Sequence, residues 1–416
     1  MKSQHLRILW IKTGFLHPLD LGGKLRTYHM LREMKKRHHI TFLALRSPQI
    51  PLDWIERAEE YCHEEIGILW KETRKFTLAF YADLARNLLF SRLPYVIEKY
   101  KSSIMRERIK ELAKANCDLI VCDFLTPAVN MNGTIEVPTL LFEHNVESEI
   151  WRRYYEAEMS TIKRGYYWLQ WKRMYAFEKL ICSQFDGVVT VSRHDSETLD
   201  REFRLKNVLG DVPTGVDTEY FCPLERKRRK ENHLVFIGAM DWFPNEEAVL
   251  YFVKEMYPRI RAQIPKVTFT VVGRNPSKKV LELQESDLSI HVTGTVVDIR
   301  PYVATAAVMV VPIRIGGGTR IKIFEGMAMG IPIVSTTVGA EGLPILHDKN
   351  ILLADTPEDF AQMTILLLKN PSKGEEMSDL ALQMVRDHHC WSSVSLSFES
   401  YCFKLIEKKR RTKYEN

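Results

Sequence analysis

Several features are missing from this 416-residue sequence, and each absence removes a class of protein. No apolar run approaches the roughly 18 residues that a membrane-spanning helix requires. The N-terminus carries Lys2 and Arg7, but ILWI is followed at once by Lys12 and Gly14, without the long apolar stretch and cleavage site of a secretory leader. The seven cysteines, Cys62, Cys117, Cys122, Cys182, Cys222, Cys390 and Cys402, form no CxxC pair and have no histidines at zinc spacing. An odd, scattered set argues against a disulfide framework and a structural metal. No Gly-Lys-Ser/Thr closes a Walker loop, and no GxGxxG follows the first strand, which counts against nucleotide hydrolysis of the P-loop kind and against nicotinamide or flavin chemistry. A cytoplasmic chain is the expectation.

What is present is globular. Hydrophobic residues make up 45% and charged residues 27%, enough to build cores, and the length suggests two domains. The net charge of +6 is unevenly spread: eleven Lys or Arg face five acids between Lys71 and Lys114. Such a patch suits an anionic membrane surface or a nucleic acid. Nine aromatics between Trp151 and Phe177 are interleaved with bases, but an aromatic packing face beside a snorkelling basic face accounts for them, so no nucleic-acid partner is expected.

Short apolar runs alternate with amphipathic ones. In the first half, residues 7–12, 40–45, 118–123, 138–144 and 186–192 read as strands covered on both faces, with helices over 24–37 and 102–115 and helical material from 147 to 184. Turn formers and a charge run at 213–232 read as a linker. Strand candidates resume at 233–238, 267–273, 288–294, 306–312, 330–336 and 350–354, with helices near 245–260, 319–329 and 357–370. The fold class is therefore α/β: two open sheets in tandem, with the ligand in the cleft at the carboxyl ends of their strands. The expected divisions are 1–212, the linker 213–232, a second domain 233–380, and a helix with a basic tail over 381–416.

The loop IRIGGGTRIKIFEGMAMGIP (313–332) carries the strongest chemical signal. Gly316, Gly317 and Gly318 bare the main chain where a strand ends. Thr319 then opens a helix whose N-terminal N–H groups suit a phosphate. Arg320 and Lys322 follow closely enough to neutralise a diphosphate, and Glu325 could accept from a pair of ribose hydroxyls. Taken alone, the same glycines make an equally good flexible turn. Gly22 and Gly23, directly before a helix, could let the main chain approach a phosphate or an acceptor, or simply turn the chain. In FEHNVESE (142–149), His144 could orient a hydroxyl, and Glu147 or Glu149 could cap the next helix. Gly238 joins a strand end to a helix bearing Asn245 and Glu246. Asp217 could fix a hinge or touch a substrate.

Together LGGKLRTYHML, HNVES, TGVDTEYF, FIGAMDWFPNEEAV and GGGTRIKIFEGMAMGIPIVSTTVGAEGL resemble the family four retaining glycosyltransferases, as a divergent GGGTRIK subgroup. The resemblance implies the GT-B fold, two Rossmann-like domains facing across a cleft, with a C-terminal helix crossing back to the first. It implies transfer of a sugar from a nucleotide-diphosphate sugar to a hydroxyl acceptor, lipid-linked or polysaccharide, without a metal or cofactor, and peripheral association with the inner face of the cell membrane. In that family the second glutamate of Glu-x7-Glu binds the donor ribose, which falls on Glu325. The first falls on Gly317, which has no carboxylate. The family's usual basic pair is missing from GAMDWFPNEE, so the diphosphate charge passes to Arg320 and Lys322. His144 takes the position beside the reacting face, and Gly22, Gly23 and Gly238 border the donor. Two other readings stay open: a non-catalytic sugar-nucleotide-binding or protein-interaction protein, motivated by Gly317, and a GT-B epimerase.

Overall fold

A computed structural model describes residues 5–19, 22–115, 117–131, 133, 135–223, 229–315 and 321–415. The chain forms two compact units, one made of Met1–Pro213 with Val394–Asn416 and the other of Thr214–Ser393.

The first unit holds a seven-stranded parallel sheet in the order β3-β2-β1-β4-β5-β6-β7. Its strands are β1 (Arg7–Lys12), β2 (His39–Arg46), β3 (Glu64–Leu69), β4 (Leu119–Asp123), β5 (Thr139–Glu143), β6 (Gly187–Thr190) and β7 (Val208–Asp211). β4 and β5 are buried along their whole length, as strands covered by helices on both faces must be. The two edge strands, β3 and β7, are missing from the sequence reading. β3 reads EEIGIL and is exposed at most positions, while β7 is half-buried throughout and contains Gly210 at φ 142°. Neither has the apolar run that marks a central strand.

Helical material between 147 and 184 is divided into Glu147–Ala157 and Thr161–Gln184. The C-terminal segment is also interrupted: the helix Pro371–Met384 continues as a widened helical turn over Val385–His389, breaks at the extended Cys390, and Trp391–Glu415 follows. That last helix packs on the first unit, as the resemblance implies. Phe398 lies 5.6 Å from Trp10 and 4.9 Å from Phe142, ring centre to ring centre. Arg37 donates to Ser395 at 2.8 Å and through Nε to Glu399 at 2.9 Å, and Lys409 pairs with Asp186 at 2.6 Å. Gly187 leaves room for Leu405, because a β-carbon there would come within 3.1 Å of its Cδ1.

The second unit repeats the plan with six parallel strands in the order β10-β9-β8-β11-β12-β13. They are β8 (His233–Ile237), β9 (Thr268–Val272), β10 (Ile290–Val292), β11 (Val308–Val311), β12 (Ile333–Ser335) and β13 (Leu352–Leu353). Leu234, Phe236, Phe269, Val310 and Phe324 are buried in one continuous core. In both sheets the strand order reverses beside the first strand of the unit, between β1 and β4 and between β8 and β11. Loops leaving the carboxyl ends of such a pair diverge and open a crevice.

Candidate functional site

In the second unit the crevice is bordered by Gly238, the residue after β8. A β-carbon at Gly238 would stand 2.7 Å from Lys322 Nζ and 2.8 Å from Asn245 Nδ2, so any larger residue there must displace one or both of these side chains. Gly273, after β9, faces the carbonyl oxygen of Gly238, where a β-carbon would sit at 1.8 Å. Any other residue at Gly273 must push the two strand ends apart.

Lys322 lies in the first turn of the helix Ile321–Ala328. Its ammonium donates to Asn245 Oδ1 at 2.7 Å and lies 4.6 Å from the centre of the Phe236 ring. Asn245 in turn donates to Ala239 O at 2.8 Å, so the amide is fixed with its oxygen toward the lysine. Asn245 belongs to the first turn of the helix Phe243–Tyr251, whose N-terminus carries partial positive charge. A cation held beside a helix N-terminus is a pair of like charges, and an anion relieves it. Arg314 is engaged elsewhere, pairing with Glu247 and lying 3.4 Å from the centre of the Tyr251 ring.

Glu325 follows Lys322 by one turn. Burial raises its carboxyl to about 7, although Lys322 opposes the shift. The group therefore changes charge near neutrality, and as a carboxylate it accepts hydrogen bonds without donating any. Gly316, Gly317, Gly318, Thr319 and Arg320 lie outside the described residues.

The crevice of the first unit is filled by charge. Lys12 ends β1 and Asp123 ends β4, and they pair at 2.8 Å with both side chains buried. Asp123 Oδ2 also accepts from Thr27 Oγ1 at 2.6 Å and Trp10 Nε1 at 2.9 Å. Asp123 Oδ1 lies 2.8 Å from His144 Nε2. Burial would raise the Asp123 carboxyl, but Lys12 and then His144 outweigh it and hold it well below the usual carboxylate range. Burial lowers His144 to about 3, so the imidazole is neutral at physiological pH. The nitrogen facing the carboxylate then carries the proton, and Nδ1 keeps its lone pair.

The Phe124 ring stacks on the imidazole at 3.8 Å. Phe124 has φ 77°, an uncommon conformation for a bulky residue, and this bend in the chain after β4 accompanies the stacking. Gly23, at the start of the helix Gly22–Lys35, completes the wall: a β-carbon there would reach 2.7 Å from Phe124 Cζ and 3.9 Å from His144 Nδ1. At Gly22 the same substitution would meet nothing within 4 Å. His144 and Gly23 are therefore brought together, while Gly22 borders open space. Lys322, Glu325 and Gly238 form a separate group in the second unit.

Behind His144 lies a buried acidic group. Glu178 accepts from Glu147 N at 2.7 Å and Ser148 N at 3.0 Å, capping the helix Glu147–Ala157 from a distance of thirty residues in sequence. The cap is thus neither Glu147 nor Glu149, since Glu149 pairs with Arg152 at 3.0 Å. Burial raises Glu178 to about 8, and Glu143, wholly buried beside it, is raised well above the usual range by burial and by Glu178. Asp217 accepts from Glu219 N at 3.1 Å and Tyr220 N at 2.9 Å, a local turn.

Residues 231–370, most of the second unit, match the family model described as "Glycosyl transferases group 1". Over 92% of this chain and 96% of its partner, the sequence is 19% identical to an uncharacterized 44.6 kDa protein in the cps region of Klebsiella pneumoniae. It is 26% identical to an MMP alpha-(1->4)-mannosyltransferase of Mycolicibacterium hassiacum, over 54% of this chain and 56% of that one. Among solved structures, Anabaena HepE in complex with UDP-glucose superposes with a TM-score of 0.63 at 12% identity, covering 96% of this chain and all of that one. The fold is that of a GT-B glycosyltransferase.

Within that fold Asp123, Lys12 and Thr27 join the residues singled out from the sequence, and Asn245 gains a partner. Asp123 lies at the end of the strand expected over 118–123. The signal available was a pair of opposite charges, Lys12 and Asp123, closing two otherwise apolar runs. Asn245 was noted near a helix start, but its bond to Lys322 joins residues 77 apart in sequence. Among the described residues no group of acids, histidines and cysteines could hold a metal, and no helix is long and apolar enough to cross a membrane.

Proposed function

We propose that the chain is a retaining glycosyltransferase of the family four kind, moving a sugar from a nucleotide-diphosphate sugar to a hydroxyl on a lipid-linked or polysaccharide acceptor, at the cytoplasmic face of a membrane. The observation that carries this reading is Lys322, held by Asn245 at the mouth of Gly238 and one turn before Glu325, inside the segment that matches the glycosyl transferase model. Lys322 and Arg320 take the diphosphate charge, helped by the glycines Gly316 to Gly318 and by Thr319. Glu325, as carboxylate, accepts from the ribose hydroxyls. UDP-glucose bound to HepE is consistent with a donor of this class.

In the reaction the bond from the sugar's anomeric carbon to the diphosphate oxygen breaks. The bond to the acceptor oxygen forms on the same face, and the acceptor proton passes to the departing diphosphate. His144 is neutral and presents Nδ1 toward Gly23, so its part is to position a hydroxyl by accepting its hydrogen bond. Gly22 and Gly23 border the same space. Gly317 stands where a carboxylate is usual, so sugar recognition there falls to main-chain N–H groups.

A thermal-shift screen of uridine, guanosine and thymidine diphosphate sugars, followed by nucleoside diphosphate release with an acceptor, tests the proposal. Lys322→Ala and Arg320→Ala are each expected to weaken donor binding by about 1–3 kcal/mol, the worth of a charge-assisted hydrogen bond. Donor binding without acceptor-dependent release would replace transfer with a non-catalytic binding role. Unchanged donor affinity in both folded variants would remove the assignment of the diphosphate site.

A further inference from the structure

In the first unit the helix Leu78–Phe90 is apolar on its outer face as well as on the inner one, where Phe80, Leu84 and Leu88 are half-buried. Asn87 is its buried residue, donating to Leu93 O at 3.0 Å and accepting from Arg173 at 3.2 Å. Leu78, Ala82, Ala85 and Leu89, spaced four, three and four apart, fall on one face, and all four are exposed. Leu78 is 90% exposed and Leu89 74%, while Phe76 and Phe90 at the two ends are 80% and 83% exposed. An apolar stripe at helical spacing normally faces a core, and a continuous exposed one marks a contact surface.

Charge around the stripe identifies the contact. Lys71, Arg74, Lys75 and Arg92 are exposed and have no carboxylate within ion-pair distance among the described residues. On the helix Ser103–Lys114, Arg108 pairs with Glu111 at 2.8 Å and Lys110 with Glu107 at 3.1 Å, while Arg106 and Lys114 have no carboxylate within ion-pair distance among the described residues. Part of the basic excess read over 71–114 therefore flanks the apolar stripe. A surface matching both features is apolar at depth and anionic at its rim over the roughly 20 Å of a thirteen-residue helix. The interface of an anionic bilayer is such a surface, with acyl chains beneath phosphates that Lys and Arg reach while their stems stay in apolar surroundings.

We propose that Leu78–Phe90 lies flat in the interface of an anionic lipid bilayer and is the element that docks the enzyme there. The proposal rests on the reading of an acceptor presented at a membrane, and gives that reading a defined contact. Leu78 and Leu89 enter the acyl boundary, and the cations of 71–75 and Arg92 face the lipid phosphates.

The full chain is sedimented with phosphatidylcholine vesicles, with and without phosphatidylglycerol, at low and high salt. Wild type is expected to partition to the phosphatidylglycerol vesicles and to be released by salt. Leu78→Asn with Leu89→Asn is expected to lower partitioning by about tenfold or more, from the loss of two buried leucine side chains. Arg74→Glu with Lys75→Glu is expected to remove the preference for the anionic lipid. Binding of free uridine or guanosine diphosphate, measured in solution, separates this from the donor assignment: its absence in wild type would fault that site and leave the vesicle result intact. Equal partitioning of wild type to both vesicles, salt-insensitive binding or no effect of the leucine pair overturns the proposal. A change of oligomeric state in the leucine variant without a change in vesicle binding also overturns it, in favour of a second copy as the occupant.

Discussion

Replacing Asp123 with asparagine keeps the shape of the side chain and removes its charge. In the native unit the carboxylate accepts from three donors, Lys12 at 2.8 Å, Thr27 at 2.6 Å and Trp10 at 2.9 Å, and its other oxygen lies 2.8 Å from His144 Nε2. An asparagine oxygen can serve some of these, but its amide group turns a donor toward others, and the Lys12 ammonium is left buried without a counter-charge. Breaking a buried pair from one side costs about 3–5 kcal/mol, so Asp123→Asn should destabilise the first unit by that amount. Burial already lowers Lys12, with Asp123 opposing, so the variant lysine should fall further below 10.5. A lysine depressed in the folded state binds fewer protons there than when unfolded, so the stability lost in the variant should partly return as pH rises toward 10. Because the chain has two compact units, one unfolding midpoint is a poor measure, and hydrogen exchange of the β1 and β4 amides is the better assay. Protection there should fall by about two to four powers of ten. Adding Lys12→Met should recover part of the loss, because both charges are then gone. A loss below about 1 kcal/mol, or strictly additive effects of the two substitutions, would refute the account of a mutually dependent buried pair.

Two further outcomes follow from the raised carboxyl groups. Glu325 is near 7 in the folded protein against 4.5 for an exposed glutamate, so the folded state holds the extra proton between those values. Stability without donor should then fall as pH climbs from 4.5 to 7, by up to about 3 kcal/mol. Glu325→Gln should abolish that slope, as well as the gain in nucleoside diphosphate affinity expected through pH 7. A wild-type urea midpoint for the second unit that stays flat across this range would contradict both. Glu178 is raised from 4.5 to about 8 in the folded protein, so its burial costs stability progressively as pH climbs between those values, and Glu178→Gln should already be the more stable protein at pH 7, by about 3 kcal/mol. Above pH 8 the group is ionised in both states, and the advantage of the variant stays level. Denaturation at pH 4 and pH 8 measures this directly, and equal differences at the two values would show that Glu178 is not raised.

The central strands were legible because burial on both faces writes itself as a continuous apolar run. β3 and β7 were not, because an edge strand needs no such run: EEIGIL keeps only Ile68 buried, and VLGD turns on a glycine. The long helices were legible in extent but not at their breaks, since Glu158 to Ser160 and the turn before Cys390 lack proline or glycine to announce them. Among the candidate residues, Gly238, His144, Lys322 and Glu325 could be picked out because each stands at a strand end or in the first turns of a helix. Their partners could not. Asp123 and His144 are 21 residues apart, Lys322 and Asn245 are 77 apart, and only the strand order brings such residues together.

That strand order puts both groups of residues at the same topological position, yet the two crevices are built on opposite principles. In the second unit glycines clear space, Gly238 beneath Lys322 and Gly273 against the Gly238 carbonyl, and the charged groups that remain, Lys322 and Glu325, are suited to an anion and a pair of hydroxyls. In the first unit the charges satisfy one another: Lys12 and Asp123 neutralise each other, and His144 is left neutral with one nitrogen committed to Asp123. A crevice whose cation is already paired gains little from a second anion, since the new contact competes with the old one. The second unit is therefore suited to hold the charged part of a donor, and the first to orient an uncharged hydroxyl through His144 Nδ1. The ionic network around Asp123 fixes the tautomer and the plane of that imidazole, so its chemical contribution is the direction of one lone pair. On the proposed assignment, in which the donor contacts belong to the other unit, Asp123→Asn should impair acceptor use well before it affects nucleoside diphosphate affinity.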